Sequence, residues 1–140
     1  MFHSDGFRGL DRGDCLRLLA KVPVGRIVFT RRAMPAVLPV NFCLDAGFAV
    51  VLRTSASSEL VAAVDGAVVA FEADEFDARH RCGWSVVVTG HAAVVTDPDE
   101  HERLLRTGPR SWIASQNEVF VRIAPEMVTG REIVGADARS

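Results

Sequence analysis

The sequence predicts a mainly β protein, a small six-stranded antiparallel Greek-key barrel with short helices at its flanks. Three observations carry that expectation. Segments 24–31, 36–44 and 48–53 are rich in β-branched residues and are broken only at Ala33-Met34-Pro35 and Asp45-Ala46-Gly47. Turns that short join antiparallel neighbours. Residues 83–96 form one long strand pattern with Trp84, Val86, Val88, Ala92 and Val94 on one face and Ser85, Val87, Thr89, His91 and Val95 on the other. Both faces are largely apolar, so both need cover. Gly90 falls inside that run, where a closing barrel needs a bend or bulge.

The elements follow in order. Residues 11–22 place Leu16, Leu19 and Ala20 on one helical face, with Asp11 and Asp14 early and Lys21 late, as the helix dipole prefers. Pro23 ends this helix and the first three strands follow. Residues 60–64 allow about two helical turns before Asp65-Gly66 stops them. A fourth strand is expected over 67–76 and the fifth over 83–96. Asp97-Pro98-Asp99-Glu100 is a strong helix start, with an aspartate cap, proline at the first helical position and acids in the first turn. Gly108-Pro109 ends that helix, and a sixth strand covers 118–124. Residues 128–134 extend or resume it after Pro125, and the tail 135–140 is expected to fray. Without repeats or a linker, residues 1–140 read as one domain with a core of about 15–133. The apolar excess on the fifth strand exceeds what one barrel interior needs, which favours a homodimer.

Composition narrows the function. The net charge is −2 and the arginines are scattered among carboxylates, so the footprint of a nucleic-acid binder is missing. No apolar run approaches the roughly 20 residues of a membrane span, and the amino terminus has no signal pattern. Cys15, Cys43 and Cys82 are widely spaced and odd in number, which fits a reducing cytoplasm rather than a disulfide framework or a zinc site. Lys21 is the sole lysine and tyrosine is absent, leaving little for Schiff-base chemistry. Neither a Gly-x-Ser-x-Gly elbow nor a Gly-rich nucleotide loop is present.

The segment Val50-Val51-Leu52-Arg53-Thr54-Ser55-Ala56-Ser57-Ser58-Glu59-Leu60 is the most informative. An apolar strand runs into a guanidinium, a set of small hydroxyl residues and a helix start. A phosphate leaving water needs such a fixed cation and such donors, although the same residues also make helix-capping turns. Other candidates are weaker. His91 could donate to a ligand or pack in an interface. His3, His80 and His101 lack partners at metal-ligand spacing, and Asp74, Glu75 and Asp77 read as a solvated strand end, so no metal is expected. Glu72 follows the apolar run 68–71 and, if buried, needs Arg26 or Arg53 as partner.

The order of motifs resembles the flavin mononucleotide-binding split-barrel family of pyridoxamine 5′-phosphate oxidase-like proteins. The marks are Val24-Gly25-Arg26-Ile27, Pro39-Val40-Asn41-Phe42, Leu52-Arg53-Thr54, Phe71-Glu72-Ala73-Asp74, Gly83-Trp84-Ser85-Val86-Val87-Val88-Thr89-Gly90 and Val128-Thr129-Gly130-Arg131. The resemblance implies an FMN-dependent oxidoreductase that exchanges a hydride with a small organic substrate. It also implies a homodimer with flavin at the interface. Arg53, Thr54, Ser57 and Ser58 would hold the phosphate, the Val40-Asn41 backbone would lie along the ring system, and Trp84, Ser85 and Trp112 would close the site from the partner chain. The family commonly carries lysine where this chain has Glu59. That departure keeps open a deazaflavin-dependent reductase, or a non-catalytic sensor domain with an impaired phosphate site.

Overall fold

The structure, a computed structural model, describes residues 6–112 and 117–135; His3 and most of the expected frayed tail lie outside them. The chain order is β1 (Arg8–Leu10), α1 (Arg12–Leu19), β2 (Val24–Arg31), β3 (Met34–Leu44), β4 (Val50–Ser55), α2 (Glu59–Val64), β5 (Val68–Asp77), β6 (Cys82–Val94), α3 (Pro98–Thr107), β7 (Glu118–Ile123) and β8 (Met127–Ile133). Strands β6, β5, β2, β3, β4 and β7 pair in that order, and β7 returns to β6. The result is a closed six-stranded antiparallel barrel, with β8 and then β1 added as two extra strands. Closure leaves the barrel strands few unpaired edges.

β6 makes the barrel a split one. One of its edges pairs with β5 from Cys82 to His91; the other pairs with β8 from Gly83 to Thr89 and with β7 from Ala92 to Val94. The handover is at Gly90, where an added Cβ would stand 1.8 Å from the carbonyl oxygen of Ala124. Only glycine allows that approach, so the bend expected there is also a close crossing of two backbones.

Inside the barrel, Ile27, Phe42, Leu52, Phe71, Val88 and Ile123 belong to one buried cluster, with the Phe42 and Phe71 rings edge-on at 4.6 Å. Gly25 lies against this pair: a Cβ there would come within 2.3 Å of the Phe71 ring. Asp11 caps α1 by accepting from the Asp14 amide at 2.8 Å, and the helix packs on β8 and β6. Asp97 caps α3 in the same manner. Arg122 ties α3 to the β3–β4 turn, donating to Asp45 at 2.8 Å and pairing with Glu100.

Two features of the register matter for function. Along β3, only Phe42 to Leu44 pair with β4, so Met34 to Asn41 have β2 on one side and no strand on the other among the described residues. Pro35 and Pro39 lie on that stretch, which discourages further strand addition. On the outer face, Met127, Thr89, Ala70, Val28 and Val37 lie opposite one another in a single row across β8, β6, β5, β2 and β3. Met127 and Val37 are exposed and the three between them half-buried.

Candidate functional site

A cavity of about 600 Å3 wraps the overhanging part of β3 and the end of β4. Val24, Leu38, Pro39 and Val40 supply an apolar wall, and Arg53, Thr54, Ser55 and Ser58 gather at the other side. β4 runs two residues beyond the strand expected from the pattern, to Ser55. Arg53 and Thr54 nevertheless both line the cavity, because the chain begins to turn there: the Ser58 amide donates to the Ser55 carbonyl at 3.0 Å. Ser58 caps α2, its hydroxyl accepting from the Leu60 amide at 3.1 Å, and its own O–H remains a donor. α2 is six residues long, so the cradle rests on side chains more than on a helix dipole.

Arg53 is the cation of this cavity and its geometry is set by its neighbours. Its Nε donates to the Glu118 carboxylate and one terminal nitrogen donates to the Pro109 carbonyl at 3.3 Å. Its guanidinium carbon also lies 5.5 Å from the Phe120 ring centre. The Arg53 and Glu118 side chains are only 18% and 9% exposed. Hydrogen bonding from Ser111, reinforced by Arg53, holds the Glu118 carboxyl below its usual range. Asn41 donates to the Arg110 carbonyl. The loop after α3 is therefore fastened to the cavity wall by Arg53, Asn41 and Glu118, and it presents Trp112, 70% exposed, at the mouth.

The structure brings together Val40, Asn41, Arg53, Thr54, Ser58 and Trp112. Ser57 is exposed on the turn beside them, its hydroxyl 3.0 Å from that of Ser55. Trp84 and Ser85 do not line this cavity. Trp84 is 7% exposed in the core of its own chain, so it packs there rather than facing this cavity. Ser85 lies on the outer face between Asp74 and Arg131. Trp112 borders the cavity of its own chain. Ser55, one of the hydroxyl set of segment 50–60, also lines the cavity, whereas the pattern misses Leu38, Ser111 and above all Glu118. Glu118 lies directly across from Ser55 on β7, and nothing local in the sequence marks that pairing.

Three other candidate residues have partners in the structure. Glu59 is absent from the cavity lining and pairs with Arg31 at 2.5 Å. Glu72 takes Arg26 as its partner at 3.0 Å, and Asp74 shares the same guanidinium at 3.4 Å. Burial, with Asp74 beside it, pushes the Glu72 carboxyl up to about 7. His91 is exposed, its Nδ1 2.8 Å from the Glu126 carboxylate. All three cysteines are free.

The donor set fits a phosphorylated heterocycle. A cation and three hydroxyls stand at one side, the apolar wall and an unpaired strand edge at the other, in a volume typical of small-molecule sites. Among the described residues no helix is long and apolar enough to cross a membrane.

Comparison with known proteins identifies the family. An uncharacterised protein of Mycobacterium tuberculosis is 46% identical over 94% of this chain and 88% of its own length. The solved FAD-binding protein of Mycobacterium smegmatis superposes with a TM-score of 0.80 at 34% identity, covering 91% of this chain and 98% of that one. A conserved protein of unknown function from Corynebacterium diphtheriae gives 0.78 at 36% identity over 93% and 100%. The family model described as pyridoxamine 5′-phosphate oxidase matches residues 11–132, from the cap of α1 to the next-to-last residue of β8. The chain therefore belongs to the pyridoxamine 5′-phosphate oxidase family.

Proposed function

We propose that this protein is a flavin-dependent oxidoreductase that works as a homodimer and exchanges a hydride with a small organic substrate. The observation that carries the reading is the cavity in which Arg53, Thr54, Ser55 and Ser58 meet at one side of an apolar wall. Further support comes from the M. smegmatis relative, a FAD-binding protein 34% identical to this chain.

Each residue has a task in that reading. Arg53 holds a phosphate oxygen with the terminal N–H groups that Glu118 and Pro109 leave open, and Thr54, Ser55 and Ser58 donate hydroxyls to the same group. The overhanging edge of β3 at Val40 and Asn41 offers main-chain groups to the polar rim of a planar ring system. Leu38, Pro39 and Val40 exclude water from its face. When bound, the flavin supplies the redox chemistry, and the protein supplies position, electrostatics and dryness. The sensor alternative loses its motive, since Glu59 is engaged by Arg31 outside the cavity.

The face assigned to the dimer is the outer row from Met127 to Val37, whose two ends are exposed hydrophobic side chains. Ser85, on the same face, is in position to approach a second chain. The free cysteines fit the cytoplasm.

The test is direct. Protein purified at neutral pH should be yellow or become so on reconstitution. Flavin at 100 times its Kd should stabilise the fold by about 2.7 kcal/mol, read as a raised melting temperature. A colourless protein that gains no stability from FMN, FAD or a deazaflavin overturns the proposal.

A further inference from the structure

We propose that Glu118 sets the charge class of flavin this cavity accepts, favouring a dinucleotide, whose bridging phosphates carry one negative charge each, over a mononucleotide with its doubly charged terminal phosphate. The inference rests on the reading of the cavity as a flavin site.

The contact between Glu118 and Arg53 is imposed by the sheet. Glu118 lies opposite Ser55, and Arg53 opposite Phe120, in the antiparallel pairing of β4 with β7. Arg53 and Glu118 are therefore diagonal neighbours on one face, within reach of long side chains. Both line the cavity, and they are its only charged side chains among the described lining residues. The site as built thus carries no net charge.

Donor accounting points the same way. Of the five guanidinium N–H groups, Nε–H goes to Glu118 and one terminal N–H to Pro109, which leaves the outer fork for a ligand. That fork, with the hydroxyls of Thr54, Ser55 and Ser58, satisfies a singly charged phosphate. A terminal phosphate monoester carries about −1.5 to −2 near neutral pH. Its second charge would face the Glu118 carboxylate in a recess that keeps both side chains largely from water, with no further cation lining it. Glu59 and Arg31 pair with each other elsewhere and supply none. The short α2 adds little positive potential.

Trp112 gives an independent reason. Its ring is 70% exposed at the mouth, and Leu38 of the same lining is 42% exposed. An exposed indole is a stacking platform for a nucleobase. A dinucleotide brings an adenine to such a platform; a mononucleotide brings nothing.

The experiment titrates the flavin-free protein with FMN and with FAD, following flavin fluorescence, for the unaltered chain and for Glu118→Gln and Trp112→Ala. The unaltered protein is expected to bind FAD at least tenfold more tightly than FMN. Glu118→Gln, which keeps shape and removes the charge, should tighten FMN by tenfold or more and change FAD by less than threefold. Trp112→Ala should weaken FAD by threefold or more and leave FMN unchanged. Equal binding of the two flavins by the unaltered protein overturns the proposal whatever the variants do. So does an FMN-to-FAD ratio that Glu118→Gln fails to move in a variant that melts like the parent. If neither flavin binds, this proposal falls together with the flavin reading; if flavin binds without the discrimination, this proposal falls alone.

Discussion

The carboxylate of Glu59 follows the cavity residue Ser58 directly in the chain, yet its partner is Arg31 of β2 at 2.5 Å. Restoring the lysine common in the family, by Glu59→Lys, is therefore expected to change flavin affinity by less than threefold. The loss of one exposed ion pair should change stability by no more than about 1 kcal/mol. Arg53→Gln should behave differently. A hydrogen bond to a charged group is worth about 1.5–3 kcal/mol, so flavin affinity measured by titration should fall by roughly 10- to 100-fold. Glu72 offers a residue-scale test of pH. Its carboxyl is raised to about 7, by burial first and then by Asp74, against the pull of Arg26. A carboxyl raised on folding favours the native state most when it is protonated, below its ordinary value near 4.5, and that advantage is lost as pH climbs through about 7. Glu72→Gln cannot lose its proton equivalent. Relative to the unaltered protein, it should become more stable at pH 8 than at pH 5, as read from urea midpoints at the two pH values.

At the scale of elements, local pattern was legible wherever one stretch of chain decided the outcome. The pattern over Val24 to Arg31 coincides with β2, and Asp97 caps α3 as its spacing implies; Asp11, expected only as an early helical acid, is the cap of α1. Residues 127–133 form a separate strand, β8, because Pro125 interrupts the pairing and the chain moves to another stretch of β6. β1 has no signature in the sequence: Arg8-Gly9-Leu10 is too short to alternate, and only pairing with β8 makes it a strand. The same division holds in the site. Arg53, Thr54 and Ser58 are neighbours in sequence and were visible, whereas Glu118 reaches them only through the β4–β7 register. Gly90 is the element-scale test. A Cβ at that position meets the Ala124 backbone, which cannot swing aside as a side chain would. Gly90→Ala should lower stability by about 1–3 kcal/mol in urea unfolding. Phe71→Ala, which empties the centre of the barrel, should cost about 3–5 kcal/mol.

At the scale of the whole molecule, the excess of apolar residues on the long β6 favours a second copy. The structure places Thr89 of β6 in an outer-face row of five strands, and Val87 in the next row, opposite Glu72. The outer residues of β6 do not form a patch by themselves; the β-sheet register aligns Thr89 with Ala70, Val28 and Val37 on one side and with Met127 on the other. The sequence could not display this row, because its members come from five strands spread over most of the chain. The neighbouring row carries the Glu72–Arg26 ion pair, a polar border of the kind that surrounds an interface core. Val28 lies mid-row with its side chain outside the barrel. A charge there disturbs an interface far more than the core: the strand-propensity cost is about 1 kcal/mol, but an unpaired carboxylate buried between two chains is strongly unfavourable. If the proposed dimer uses this face, the unaltered protein is expected to sediment as a dimer and Val28→Asp as a folded monomer. Thr30→Asp, at an exposed position near the end of the same strand, serves as the control that stays dimeric. A Val28→Asp protein that still sediments as a dimer would place the interface on another face.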